Sequence, residues 1–156
     1  MGSEMCIRDR LITVNVGAYQ AGAWADAPVT SIHLIAGDKH GIFMRYGYTA
    51  QGWTVGVTSV LTRIGDSFTE VLRLISDQSD PDGRGWTSKM TTKPTNGAFY
   101  AIDVERRGYD DQSEGLVFLD GDESLKYDVA DYNDVIRQQD TFTFDGLRYS
   151  RDVAIS

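Results

Sequence analysis

The sequence has almost no cysteine, few prolines, a minority of basic residues and no long apolar run. Its one cysteine, Cys6, stands within the first ten residues, so no disulfide framework exists. Lack of thiols fits cytosol, virion and a bacterial extracellular space alike and chooses no compartment. No segment approaches the roughly 20 apolar residues of a membrane span, which argues against membrane insertion. Lys and Arg number 15 against 23 Asp and Glu, a net charge of -8. That field repels phosphate backbones and so argues against nucleic acid. The surplus acid is either a solvated face that keeps the chain soluble or a means of holding a cation. Also missing are a glycine-rich phosphate loop, a Ser/His/Asp spacing and a metal-binding Cys/His set.

What is present is an ordinary mixture, 41% hydrophobic and 24% charged with 16 Gly, in a length that suits one domain. The first ten residues read differently from the rest. Met5-Cys6-Ile7-Arg8-Asp9-Arg10 resembles translated sequencing adapter of the kind that precedes unrelated reading frames in environmental sequence. It also lacks the apolar stretch of a signal peptide. The expectation is non-native sequence over 1–10 and a single domain over 11–156, a fragment of a larger protein.

Period-two alternation, carried by β-branched and aromatic residues, runs through nearly every segment. Strands are expected over Leu11–Val16, Ser31–Ile35, Gly41–Tyr46, Trp53–Val60, Phe68–Ile75, Trp86–Thr92, Phe99–Arg106, Leu116–Asp120, Ser124–Val129 and Thr141–Tyr149. The pattern is clearest where Tyr100, Ile102 and Val104 alternate with Ala101, Asp103 and Glu105. Turn signals separate the strands, among them Ile64-Gly65-Asp66, Asp80-Pro81-Asp82-Gly83 and Asn96-Gly97. A helical turn is plausible over Asp131–Gln139, and Gly22–Val29 reads as a loop. The expected fold is all-β: an antiparallel two-sheet β-sandwich with one dry face per strand.

Three segments add a family resemblance. Phe99–Gly108 is an aromatic-led strand of alternating Ile and Val ending in Arg and Gly, and Gly115–Gly121 closes on a hydrophobic-Asp-Gly turn. Phe144-Asp145-Gly146-Leu147-Arg148-Tyr149-Ser150-Arg151-Asp152-Val153-Ala154 has an acidic turn, alternating hydrophobic residues around Arg, and a trailing Val-Ala. In order and spacing these resemble the closing half of the concanavalin A-like, laminin G-like (LamG) jelly-roll superfamily. The aromatic of the first segment is not the usual Trp, and the stretch between Gly121 and Asp145 is short for the family. The resemblance implies a jelly roll whose common task is lectin-like carbohydrate binding.

Candidate site residues follow from both readings. Asp103 and Glu105 share one face of a strand, at a separation glycosidases use, about 5–10 Å. They resemble part of the Glu-x-Asp-x-Glu strand of concanavalin-fold glucanases, but Ala101 stands where the nucleophile would be. Ser31-Ile32-His33 resembles the Gln-Ile-His strand of jelly-roll alginate lyases, with Tyr149 as the proton-transferring tyrosine. Asp77, Asp80 and Asp82 offer hard oxygen ligands for Ca²⁺, though the position eleven after Asp80 is Thr91 and not an EF-hand Glu. Each of these sets has a plain alternative: a polar strand face, a hydrogen-bonded structural histidine, a solvated turn. Of the aromatics, Trp24, Tyr46, Tyr48 and Trp53 included, Trp53 begins an alternating apolar face and is expected in the core. Trp86 and Tyr109 abut polar loops and are the candidates for an exposed sugar-stacking platform.

The leading expectation is therefore a non-catalytic module that binds glycan or another surface, extracellular or on a virion and without a required cofactor. A polysaccharide lyase or glycoside hydrolase is one alternative. A structural phage tail or capsid decoration domain is the other, since fold alone does not choose among them.

Overall fold

The structure, a computed structural model, describes residues 27–109, 118–121, 127–130 and 137–152, and all their regular structure is β. The strands are β1 (Val29–Leu34), β2 (His40–Ala50), β3 (Trp53–Ile64), β4 (Ser67–Ser79), β5 (Gly85–Lys93), β6 (Ala101–Gly108), β7 (Phe118–Gly121), β8 (Tyr127–Ala130), β9 (Arg137–Phe144) and β10 (Tyr149–Arg151). Eight of them form one antiparallel sheet in the order β1-β2-β3-β4-β5-β6-β9-β10, and β7-β8 pair as a separate hairpin. Sequence neighbours are thus sheet neighbours except where that hairpin interrupts β6 and β9.

Local chemistry sets the corners. Ala50 pairs with Trp53, leaving a two-residue loop of Gln51 and Gly52 with φ of 53° and 83°. Positive φ at both central residues gives the turn twist that matches a right-twisted hairpin. Between β4 and β5 the Asp80 carboxylate accepts from the backbone N–H groups of Asp82 and Arg84 at 3.0 and 2.9 Å and from Arg84 Nε at 2.8 Å. Burial pushes the Asp80 carboxyl up, but the Arg84 hydrogen bonds and charge outweigh it and hold the group below its ordinary 3.8.

The sheet does not stay flat. Pairing of β3 with β4 shifts register between Gly56 and Val57 and again between Val60 and Leu61, so Ser76 and Val71 have no cross-strand partner. Such bulges bend a strand and increase its twist. The bend lets Phe43, Val60, Leu72 and Leu74 of β2–β4 share one buried cluster with Ile102, Val104, Phe142 and Tyr149 of β6, β9 and β10. A second cluster joins Val55, Val57 and Ile75 to Trp86. Between the hairpin ends, Tyr100 N–H bonds Ile35 O at 2.7 Å. The core also contains a charge: Arg106 is fully buried, 2.5 Å from Asp140 on β9 and stacked at 5.6 Å over the Trp86 ring.

Several expectations change here. Residues 55–62 are all buried, so β3 has two dry faces rather than one. Ala101 and Asp103 are buried with Ile102 and Val104 for the same reason: β6 is covered on both sides. Trp53 is 42% exposed because it opens β3 at the hairpin end, beyond the reach of either cluster. The single strand expected over Thr141–Tyr149 is two strands. Asp145 breaks it by accepting from Leu147 and Arg148 N–H at 2.9 and 3.0 Å. Residues 137–139, read as part of a helical turn, belong to β9 because they pair with β6. Leu11–Val16, Trp24 and residues 1–10 lie outside the described residues, as does most of 131–139. No described helix is long and apolar enough to cross a membrane.

Two outcomes test this packing. Asp140→Ala leaves the Arg106 charge buried without its carboxylate and should cost about 3–5 kcal/mol in urea unfolding. Tyr149 is buried, which pushes its phenol up to about 12, so the unfolded chain ionises first. Stability should be complete below pH 10 and fall as pH rises toward 12, less steeply in Tyr149→Phe, as followed by circular dichroism.

Candidate functional site

Two side-chain-free positions shape a depression on the sheet. Gly47 of β2 pairs with Gly56 of β3, and Gly56 pairs with Asp77 of β4, so one cross-strand row carries two glycines and a carboxylate. The Asp77 side chain lies over Gly56, where a Cβ would collide with its carboxylate. Glycine within a strand marks this kind of close approach. Arg45, two rows over on the same face of β2, pairs through Nη2 with Asp77 Oδ2. The Asp77 side chain is 12% exposed and that of Arg45 51%, so the pair is rooted in the sheet and open above. Arg45, Gly47, Thr54, Gly56 and Asp77 line a groove of about 400 Å³.

Tyr109 completes this neighbourhood. Its N–H bonds Gly85 O at 2.8 Å, and its ring crosses Gly85 so closely that a Cβ there would sit 2.8 Å from Cε2. Burial of its hydroxyl and the Asp77 charge push the phenol up, with Arg45 opposing. The residue as a whole is 52% exposed. An aromatic face therefore stands beside a carboxylate and a guanidinium. A smaller groove of about 220 Å³ lies on the other side of Arg45, lined by Ser31, His33, Phe43, Thr58 and Ser76 among others.

The candidates from the sequence separate. Trp86 is fully buried in the second cluster, so the platform expected of it is absent; β5 turns its ring inward onto Val55 and Val57. Tyr109 is exposed, within range of the Asp77 charge. His33 and Tyr149 have no partner in common. His33 Nε2 lies 2.9 Å from Ser31 Oγ with its ring edge-on to Phe43, whereas Tyr149 OH donates to Tyr100 O at 2.7 Å inside the core. Asp103 and Glu105 do share a strand face, but each is taken. Asp103 is paired with Lys93 and accepts from Thr141 Oγ1 at 2.9 Å, and Glu105 accepts from Arg107 at 2.9 Å.

Asp77, Asp80 and Asp82 also part company. Asp77 faces Arg45, Asp80 closes its turn with Arg84, and Asp82 points outward with Arg84 3.6 Å away. Among the described residues no group of three or more His, Cys, Asp or Glu is placed to hold a metal ion.

Arg45 and Ser76 were not legible as site residues. An arginine in an alternating strand looks like any solvated residue, and a bulge leaves no mark in Ile75-Ser76-Asp77. The available signal was Gly47 and Gly56, glycines inside strands otherwise rich in aromatic or β-branched residues. Gly56→Ala should displace Asp77, break its pair with Arg45 and cost about 1–3 kcal/mol, measured by chemical denaturation together with the Arg45 side-chain NMR resonances. No family model, curated protein or solved structure matches the chain.

Proposed function

We propose that the chain is a glycan-binding module, a LamG-like jelly roll of two packed sheets carried by a larger secreted or virion-surface protein. The fold part rests on the three family-like segments, whose described residues include β6, β7 and the β9–β10 turn, and on the core shared by the two halves of the curled sheet. Its strand order is nonetheless a meander.

The binding part rests on one observation: the Arg45–Asp77 pair set on a glycine floor, with the exposed Tyr109 ring within range of both charges. A sugar ring presents hydroxyls that donate to a carboxylate and accept from a guanidinium, and an apolar C–H face that packs on an aromatic. A shallow groove with a few fixed polar groups suits that ligand. Binding is favoured over lyase or hydrolase chemistry because neither His33 and Tyr149 nor Asp103 and Glu105 form a free acid–base pair.

A glycan array followed by calorimetry tests the proposal. Wild-type protein should bind at least one oligosaccharide, and Asp77→Asn and Tyr109→Ala should each weaken it by about tenfold or more. Binding that survives both changes would falsify the assignment of this groove.

One observation favours the structural reading. All six residues of β1 are exposed, with Val29 and Ile32 at 73% and 65%, and an exposed apolar strand invites pairing with another chain. Under that reading the protein self-associates in sedimentation experiments and Ile32→Lys makes it monomeric; a monomeric wild type at high concentration rules it out.

A further inference from the structure

We infer that the smaller groove is an anion subsite, which takes an oxyanion substituent, carboxylate or sulfate, of a ligand whose ring lies in the larger groove. The inference rests on the glycan reading of that larger groove and adds the class of sugar: acidic rather than neutral.

The groove is built from the strand alternation. Val29, Ser31 and His33 fall on one face of β1, and Val29 and Ser31 pair directly with Arg45 and Phe43 of β2. The His33 ring is held by two contacts, edge-on to Phe43 with centroids 4.9 Å apart and 2.9 Å from Ser31 Oγ. Among the described residues, the ionisable side chains lining the groove are His33 and Arg45, both bases, and no carboxylate lines it. In a chain of net charge -8 that local sign is the opposite of the average.

The groove also contains an unsatisfied donor. Ser76 is the β4 bulge residue, re-aimed because it has no partner on β3. Its residue is 4% exposed, and its Oγ is buried with no hydrogen-bond partner among the described residues. Ser88 Oγ donates to Ser76 O at 2.7 Å and so brings the β5 wall against the bulge. A buried hydroxyl without a partner is costly, and turning it about χ1 to meet an acceptor oxygen supplied by a ligand removes that cost.

Arg45 connects the two grooves. Among the described residues it engages Asp77 through Nη2 alone, and half its side chain is exposed, so further N–H donors of the planar fork are available to a second oxyanion. Phe43 and Met90 supply a dry wall that favours a partly desolvated group. A ring resting against Asp77 and Tyr109 would place a charged substituent across Arg45, among Ser31, His33, Thr58 and Ser76.

The test compares a neutral oligosaccharide with its sulfated or uronate counterpart by calorimetry, and measures the melting temperature in sodium sulfate against sodium chloride at equal ionic strength. Wild-type protein should bind the charged sugar about tenfold tighter than the neutral one. Ser76→Ala and His33→Gln should remove that advantage while leaving the neutral affinity unchanged. His33 is exposed, so its variant keeps the test intact if Ser76→Ala fails to fold. Equal affinity for the two sugars, or an advantage that survives both variants, overturns the subsite while the glycan reading stands. If no sugar binds but sulfate raises the wild-type melting temperature more than that of His33→Gln, the subsite stands and the glycan reading falls. If neither sulfate nor any sugar has an effect, both fall.

Discussion

The buried guanidinium of Arg106 ties this fold together. It lies at zero exposure on β6, bonded to Asp140 of β9 and stacked over Trp86 of β5. A charge in that position is tolerated only while its partners stay in place, because removing it from water costs several kcal/mol that the pair must offset. Three neighbouring strands are therefore fixed in one arrangement. Trp86 is the member of this set that belongs to the second apolar cluster, so the same contact links the cationic centre to the β3–β4 side of the sheet.

Curvature is the second requirement, and β4 supplies it. Its bulges at Val71 and Ser76 let one continuous sheet bring β2–β4 and β6, β9 and β10 onto a common core. The grooves are a consequence of that bending. Where β4 bulges, Ser76 turns into one groove, and the next residue, Asp77, lies across the bare Gly56 backbone of the other. Fold and candidate site thus share one irregular strand, and a change that restored regular pairing at Ser76 would remove features of both.

The charge distribution carries a related lesson. A net charge of -8 describes the average surface and gives the reason to set nucleic acid aside. It does not describe the two grooves, where Arg45 and His33 stand with Asp77 as the one acid among the described residues that line them. Local sign depends on which residues alternation and register bring to one face, and register is a property of paired strands rather than of either strand alone.

The sequence by itself determined most of the described strands and turns, because period-two patterning and residues such as Gly65 and Asp80 act within a few positions of themselves. It also put Asp103 and Glu105 on one face, since alternation alone decides that. Only the tertiary structure decided which of two faces met a partner: Trp86 went inside and Trp53 outside, although both stand within the first two residues of a strand, beside polar turns. The tertiary fold likewise decided that Tyr149 spends its hydroxyl on Tyr100 and that Asp77 meets Arg45, 32 residues away. Such contacts depend on cross-strand register and on bulges, which form only when distant segments pair and which leave no periodic trace along the chain.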